Sequence, residues 1–159
     1  MKDKKKIIGI CGGISLEGKQ NNSLAVNLAE KEFGFFKTSP LESVIGLAKA
    51  MNLIPPEMPE ENRLRIINRV CISGRTSDPN MWMNLALKKV PSEKQLILID
   101  DIHFKEEAEL IKKLGGMIFQ IDSDGIKIKP EFEPDVMIWG NSNDILNSLR
   151  VNLQLFISE

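Results

Sequence analysis

Cysteine and histidine are scarce: among 159 residues there are two cysteines, Cys11 and Cys71, and one histidine, His103. These are too few and too scattered for a disulfide framework or for Cys/His zinc spacing, so both cysteines read as buried thiols of a reducing compartment. Long apolar runs are also missing. The longest span about five residues against the ~20 that a membrane helix needs, and the basic Met1–Lys6 segment leads into glycines rather than a signal-peptide core. A cytoplasmic protein without membrane contact is therefore expected. Neither sign of charge is in excess, with 21 Lys and Arg against 22 Asp and Glu and a formal net charge of −1. That balance gives no general attraction to nucleic acid or anionic lipid, and Lys2–Lys6 reads as a solvated leader. A small molecule is the expected partner, with a homodimer as the expected form of any self-association.

What is present suits one globular domain over residues 1–159, with 42% apolar residues and 11 glycines. Ile7–Cys11 is a short, β-branched apolar run bounded by charge and glycine, as in a central parallel strand. From about Gly18 the spacing turns helical, and Leu24, Ala25, Leu28 and Ala29 form one stripe up to Gly34. Gly34–Thr38 is a candidate second strand. Ser39-Pro40-Leu41-Glu42 then combines a cap, a proline at the first helical position and a glutamate at the third. The helix it opens should bury Leu41, Val44, Ile45 and Ala48.

Pro55, Pro56 and Pro59 forbid regular structure before about Glu60, where a helix resumes with Leu64, Ile67, Val70 and Cys71 on one stripe. Ser73–Ser77 should break it, and Asp78-Pro79 should start another helix with Trp82, Leu85 and Ala86 inward. Leu96–Ile99 is a second strand-like run, ending in Asp100-Asp101. A helix over Lys105–Leu114 stops at Gly115-Gly116, strands follow at Met117–Ile121 and Val136–Gly140, and Asn141 or Ser142 caps a terminal helix. Trp82 and Trp139 both sit on apolar patterns and read as core. Four or five strands alternating with helices predict an α/β fold with a mostly parallel sheet.

Two stretches carry chemistry. Gly13…Gly18-Lys19 has the spacing of the phosphate loop G-x-x-x-x-G-K-[ST], whose backbone N–H groups cradle phosphate oxygens while the lysine reaches the outer phosphates. Gln20 stands where a hydroxyl should meet Mg²⁺, with Ser15 and Ser23 as the nearby hydroxyls. The strand ending at Asp100-Asp101 is Walker-B-like, since a buried parallel strand delivers its carboxyl end to the ligand crevice. Residues on a strand alternate faces, so at most one of the two aspartates should face a site. A coenzyme-binding Rossmann domain fits less well, because Gly9…Gly12-Gly13 lacks the G-x-G-x-x-G order and Thr38 ends the second strand where an acid is required.

Together these motifs resemble the bacteriophage-type deoxynucleoside monophosphate kinases, a P-loop family that transfers the terminal phosphoryl group of ATP to a nucleotide 5′-phosphate. Thr38-Ser39-Pro40-Leu41 resembles the segment that opens that family's monophosphate-binding part. Arg75-Thr76-Ser77-Asp78-Pro79-Asn80-Met81-Trp82 is similar to its R-x-x-D-P-x-x-W stretch. Asp101-Ile102-His103-Phe104-Lys105-Glu106-Glu107-Ala108 with Gly115-Gly116 is similar to D-V-R-F-x-N-E-A…G-G, and Trp139-Gly140-Asn141 resembles the turn into the family's last helix.

The resemblance implies a P-loop NTPase-like three-layer sandwich with about five strands, and ATP and Mg²⁺ as the cofactors. It implies that Gly13, Ser15, Gly18, Lys19, Gln20 and Asn141 lie on the ATP side. It assigns Asp101 to a neighbourhood of Mg²⁺, reached through water, with Gln20 a poor second metal neighbour. On the same basis Lys19, Asp101 and Arg75 carry catalysis, and Ser39, Arg63, Arg75 and Trp82 meet the acceptor nucleotide. The chain departs from the family at Gln20, at His103 in place of an arginine, and in a reduced lid over about residues 122–135. Those departures define the alternative: a catalytically silent P-loop domain with a nucleotide-binding, structural or regulatory role.

Overall fold

The structure, a computed structural model, describes residues 4–12, 16–123 and 130–159; the side chains of residues 16–22 and of residue 123 are outside the description. Five strands form one sheet: β1 (Lys6–Gly12), β2 (Phe36–Thr38), β3 (Leu96–Ile99), β4 (Met117–Ser123) and β5 (Val136–Gly140). Their order is β2-β3-β1-β4-β5, and every neighbouring pair is parallel. Among the described residues, six helices connect and cover them: α1 (Leu16–Phe33), α2 (Pro40–Ala50), α3 (Glu60–Ser77), α4 (Met81–Lys88), α5 (Lys105–Lys113) and α6 (Ser142–Ser158). Among the described residues no helix is long and apolar enough to cross a membrane.

Side-chain alternation along the strands sorts the core into two faces. Ile8 and Ile10 of β1, Leu98 of β3, Phe119 and Ile121 of β4 and Ile138 of β5 meet α1 and α6 through Ala25, Leu28, Ala29, Ile145, Leu149 and Leu153. Ile7 and Cys11, Ile97 and Ile99, and Ile118 meet α4 and α5 through Met83, Ala108 and Ile111. The result is a three-layer α/β sandwich. Each fully buried aliphatic side chain here contributes about 1.5–3 kcal/mol, so the two faces of β1 anchor the fold.

The strand order fixes where a ligand crevice opens. β1 is followed by α1 on one face, whereas its neighbour β3 is followed by α5 on the other. Loops that leave adjacent strands toward opposite faces part from each other, and the gap lies beyond the strands' carboxyl ends. Gly12 closes β1 there at φ +107°, where an added Cβ would stand 2.2 Å from the Ile121 carbonyl oxygen. Only glycine fits that approach.

Several expectations need correction. Helix α3 does not break at Ser73–Ser77 but runs on to Ser77. Gly74 is retained in it because the Trp82 ring packs directly on its Cα, and Thr76 Oγ1 bonds back to the Ile72 carbonyl at 2.9 Å. Helix α4 starts at Met81, not at Pro79. Helix α1 begins at Leu16, two residues before Gly18. Trp139 is not core: it is 64% exposed, because β5 is an edge strand and only Ile138 of its alternating set is covered. Leu24 and Leu85 are likewise exposed beside buried neighbours, and α3, which carries the exposed Leu64, buries none of its residues fully. Lys6 is no leader residue; it lies in β1 and its ammonium donates to the Phe156 and Ile157 carbonyls at 3.1 and 2.6 Å, where the C-terminal end of α6 favours a cation.

Candidate functional site at the carboxyl end of the sheet

Ser39 follows β2 and caps α2, its oxygen accepting the Glu42 N–H at 3.4 Å. The same hydroxyl donates to Asp101 Oδ2 at 3.1 Å. Asp101 follows β3 and sits at φ +58°, a left-handed conformation that aspartate tolerates better than most residues. Two bonds hold it there. Its N–H reaches Asp100 Oδ1 at 2.9 Å, and the next amide, Ile102 N–H, reaches the Ile10 carbonyl of β1 at 3.0 Å. The chain therefore turns sharply at Asp101, so the two aspartates are not strand neighbours on opposite faces as their sequence position suggested.

Asp100 continues the β2–β3 pairing through its N–H to the Thr38 carbonyl at 2.9 Å, and Thr38 Oγ1 donates to the Ala86 carbonyl at 2.9 Å. Burial, reinforced by the Asp101 charge, pushes the Asp100 carboxyl up to about 6. Lys37 lies alongside. Its ammonium is held protonated chiefly by a 2.8 Å bond to Glu42, with smaller support from Asp100 and Asp101.

Next to the cleft residue Phe104, the Arg75 guanidinium carbon lies over the aromatic ring, 3.4 Å from its centroid. Its Nη2 donates to Glu106 Oε2 at 3.2 Å, while Nη1 is buried with no hydrogen-bond partner among the described residues. Glu107, buried in the first turn of α5, accepts the His103 and Phe104 amides at 3.0 and 3.2 Å and so fixes the loop that carries Phe104. Trp82 closes the back wall, 2% exposed, with its indole N–H donating to the Cys71 carbonyl at 3.0 Å. Pro40, Leu41, Val44, Cys71, Trp82, Asp101 and Phe104 are among the residues that line a cavity of about 30 Å³. That is room for one or two waters.

The expected site residues divide into three groups. Ser39, Trp82 and Asp101 share the cleft, and Arg75 joins them through Phe104. Arg63 does not: it pairs with Glu60 at 3.7 Å, twelve residues and thus about 18 Å along α3 from Arg75. Asn141 is an exposed cap of α6, its oxygen accepting the Asp144 N–H at 3.0 Å. Gly18, Lys19 and Gln20 fall in the opening turns of α1, and their side chains lie outside the description, as do Gly13 and Ser15 altogether. Much of the reduced lid, residues 124–129, also lies outside it.

Glu106 and Lys37 drew no assignment from the sequence, and Phe104 entered only inside a quoted motif. Phe104 and Glu106 acquire their relation to Arg75 by tertiary packing alone. Among the described residues no group of three or more His, Cys, Asp or Glu could hold a metal ion. A Mg²⁺ at Asp101 would accordingly depend on substrate phosphates and water for its remaining ligands, which is how that ion is usually held in phosphoryl-transfer sites. Compared with models of known protein families the chain matches none, and a search of the curated proteins returns no match.

Proposed function

We propose that this chain is a nucleotide kinase of the P-loop type, which moves the terminal phosphoryl group of ATP to the 5′-phosphate of a nucleoside or deoxynucleoside monophosphate. The observation that carries the reading is the convergence of Gly12 at the end of β1, Ser39 after β2 and Asp101 after β3 on the carboxyl edge of one parallel sheet, with Arg75 stacked on Phe104, which lines the same cleft as Asp101. Phosphoryl transfer requires alignment and charge compensation more than covalent participation by the protein. A lysine, an arginine and one anchored carboxylate meet that requirement.

In this reading the segment between Gly12 and α1 receives the ATP phosphates, with Lys19 compensating their charge. Asp101, oriented by Ser39, would be the residue nearest a bound Mg²⁺, which would supply neutralisation of the phosphate oxygens. Arg75 receives the acceptor phosphate, and Trp82 and Leu41 form the wall beside it. Asp100 Oδ1 accepts the Asp101 N–H at 2.9 Å and so helps fix the turn that presents the Asp101 carboxylate.

Titration calorimetry with ATP and Mg²⁺ tests the reading. Saturable binding that Lys19→Ala abolishes is expected; no saturable heat with the wild-type chain would overturn it. The second reading, a silent nucleotide-binding domain, is favoured by Gln20 at the metal-facing position and would give the same heat without turnover.

A further inference from the structure

We propose that the Glu106 carboxylate is a built-in competitor for the anion that Arg75 receives, so that ligand binding exchanges one anion for another. The inference rests on the assignment of Arg75 to the acceptor phosphate. Arginine offers five N–H donors in one plane, and stacking on Phe104 uses the flat face and leaves the edge. On that edge Nη2 donates to Glu106, and buried Nη1 has no partner among the described residues. A buried guanidinium nitrogen without an acceptor is a costly arrangement, and it is relieved by an oxyanion that bridges the fork.

Glu106 is suited to yield. Its side chain is 43% exposed, and as a first-turn residue of α5 it is stabilised near the helix N-terminus wherever it points. The structural work at that turn falls to Glu107, which holds the His103 and Phe104 amides. Displacing Glu106 therefore leaves the loop and the Phe104 platform in place.

The test is calorimetric titration of the full chain and its variants with each of the four deoxynucleoside 5′-monophosphates, after melting curves show that the variants fold. Glu106→Gln should tighten binding on the order of fivefold, the scale of a partly exposed ion pair, and Glu106→Ala should do the same. In an Arg75→Gln background the Glu106 change should have no effect. Equal or weaker binding by both Glu106 variants would overturn the competition while leaving the kinase reading intact. Binding insensitive to Arg75→Gln would overturn both the competition and the role of Arg75. Absence of binding by every variant would overturn the acceptor site itself.

Discussion

Ser39 and Asp101, 62 residues apart in the chain, are joined by a hydrogen bond of 3.1 Å from the serine hydroxyl to Asp101 Oδ2. One hydroxyl thus ends β2, caps α2 and orients the carboxylate at the end of β3. Replacing Ser39 with alanine removes a helix cap and a buried donor together. The expected loss is about 1–2 kcal/mol of stability, measured by urea unfolding, with any turnover falling further than stability alone explains.

Asp101→Asn separates function from folding. Asparagine tolerates the left-handed backbone and keeps an oxygen for the Ser39 hydroxyl, so the melting temperature should stay within a few degrees. Mg²⁺-dependent phosphoryl transfer should fall at least a hundredfold. Full retained activity would remove Asp101 from the metal's neighbourhood.

The pH dependence follows from Asp100. Its carboxyl titrates at about 6 in the fold against 3.8 for the ordinary group, so between these values the folded chain binds the proton more tightly than the unfolded one. Stability from this group is therefore highest below about pH 4 and declines as pH rises through about 6, by up to about 3 kcal/mol. Asp100→Asn keeps the acceptor for the Asp101 N–H and removes the buried charge. It should stabilise the protein by about 1–3 kcal/mol at pH 8 and by almost nothing at pH 3.5. A gain independent of pH would contradict the assignment.

Gly74 of α3 packs against Trp82, which lines the cleft. A Cβ on Gly74 would stand 2.5 Å from the indole ring, and the ring is tethered by its bond to the Cys71 carbonyl. The ~1 kcal/mol that alanine ordinarily gains over glycine in a helix is outweighed by overpacking. Gly74→Ala should cost about 1–3 kcal/mol and shift the tryptophan emission.

The two thiols should differ in reactivity. Burial, aided by the Asp122 charge, pushes Cys11 up to about 12, whereas Cys71 is raised by burial and Glu107 but lines the cavity. At pH 8 a small alkylating reagent should modify Cys71 slowly and Cys11 only on unfolding. Saturating nucleotide monophosphate should protect Cys71.

The sheet was legible because its inner strands are short, mainly apolar runs rich in isoleucine and bounded by charged or turn residues, and the α2 cap because Ser-Pro-x-Glu names its own geometry. Helix α3 was misread at Ser73–Ser77 because small polar residues signal a break only when nothing packs on them, and Trp82 packs on Gly74. Trp139 was misread because alternation reports the faces of a strand and not whether a neighbour covers them. In the site, Ser39 and Asp101 were assigned through the family resemblance, since position at a strand end alone does not choose between Asp100 and Asp101. The Arg75–Phe104–Glu106 cluster was not legible, since residues about 30 apart meet there through the packing of α3 against the loop before α5.

The kinase reading is tested most directly by a coupled assay of ADP release from Mg²⁺·ATP with each common nucleoside and deoxynucleoside monophosphate, run beside Lys19→Ala. The account predicts acceptor-dependent turnover with at least one monophosphate and its loss in the variant. Turnover no greater than that of Lys19→Ala with every acceptor would contradict it.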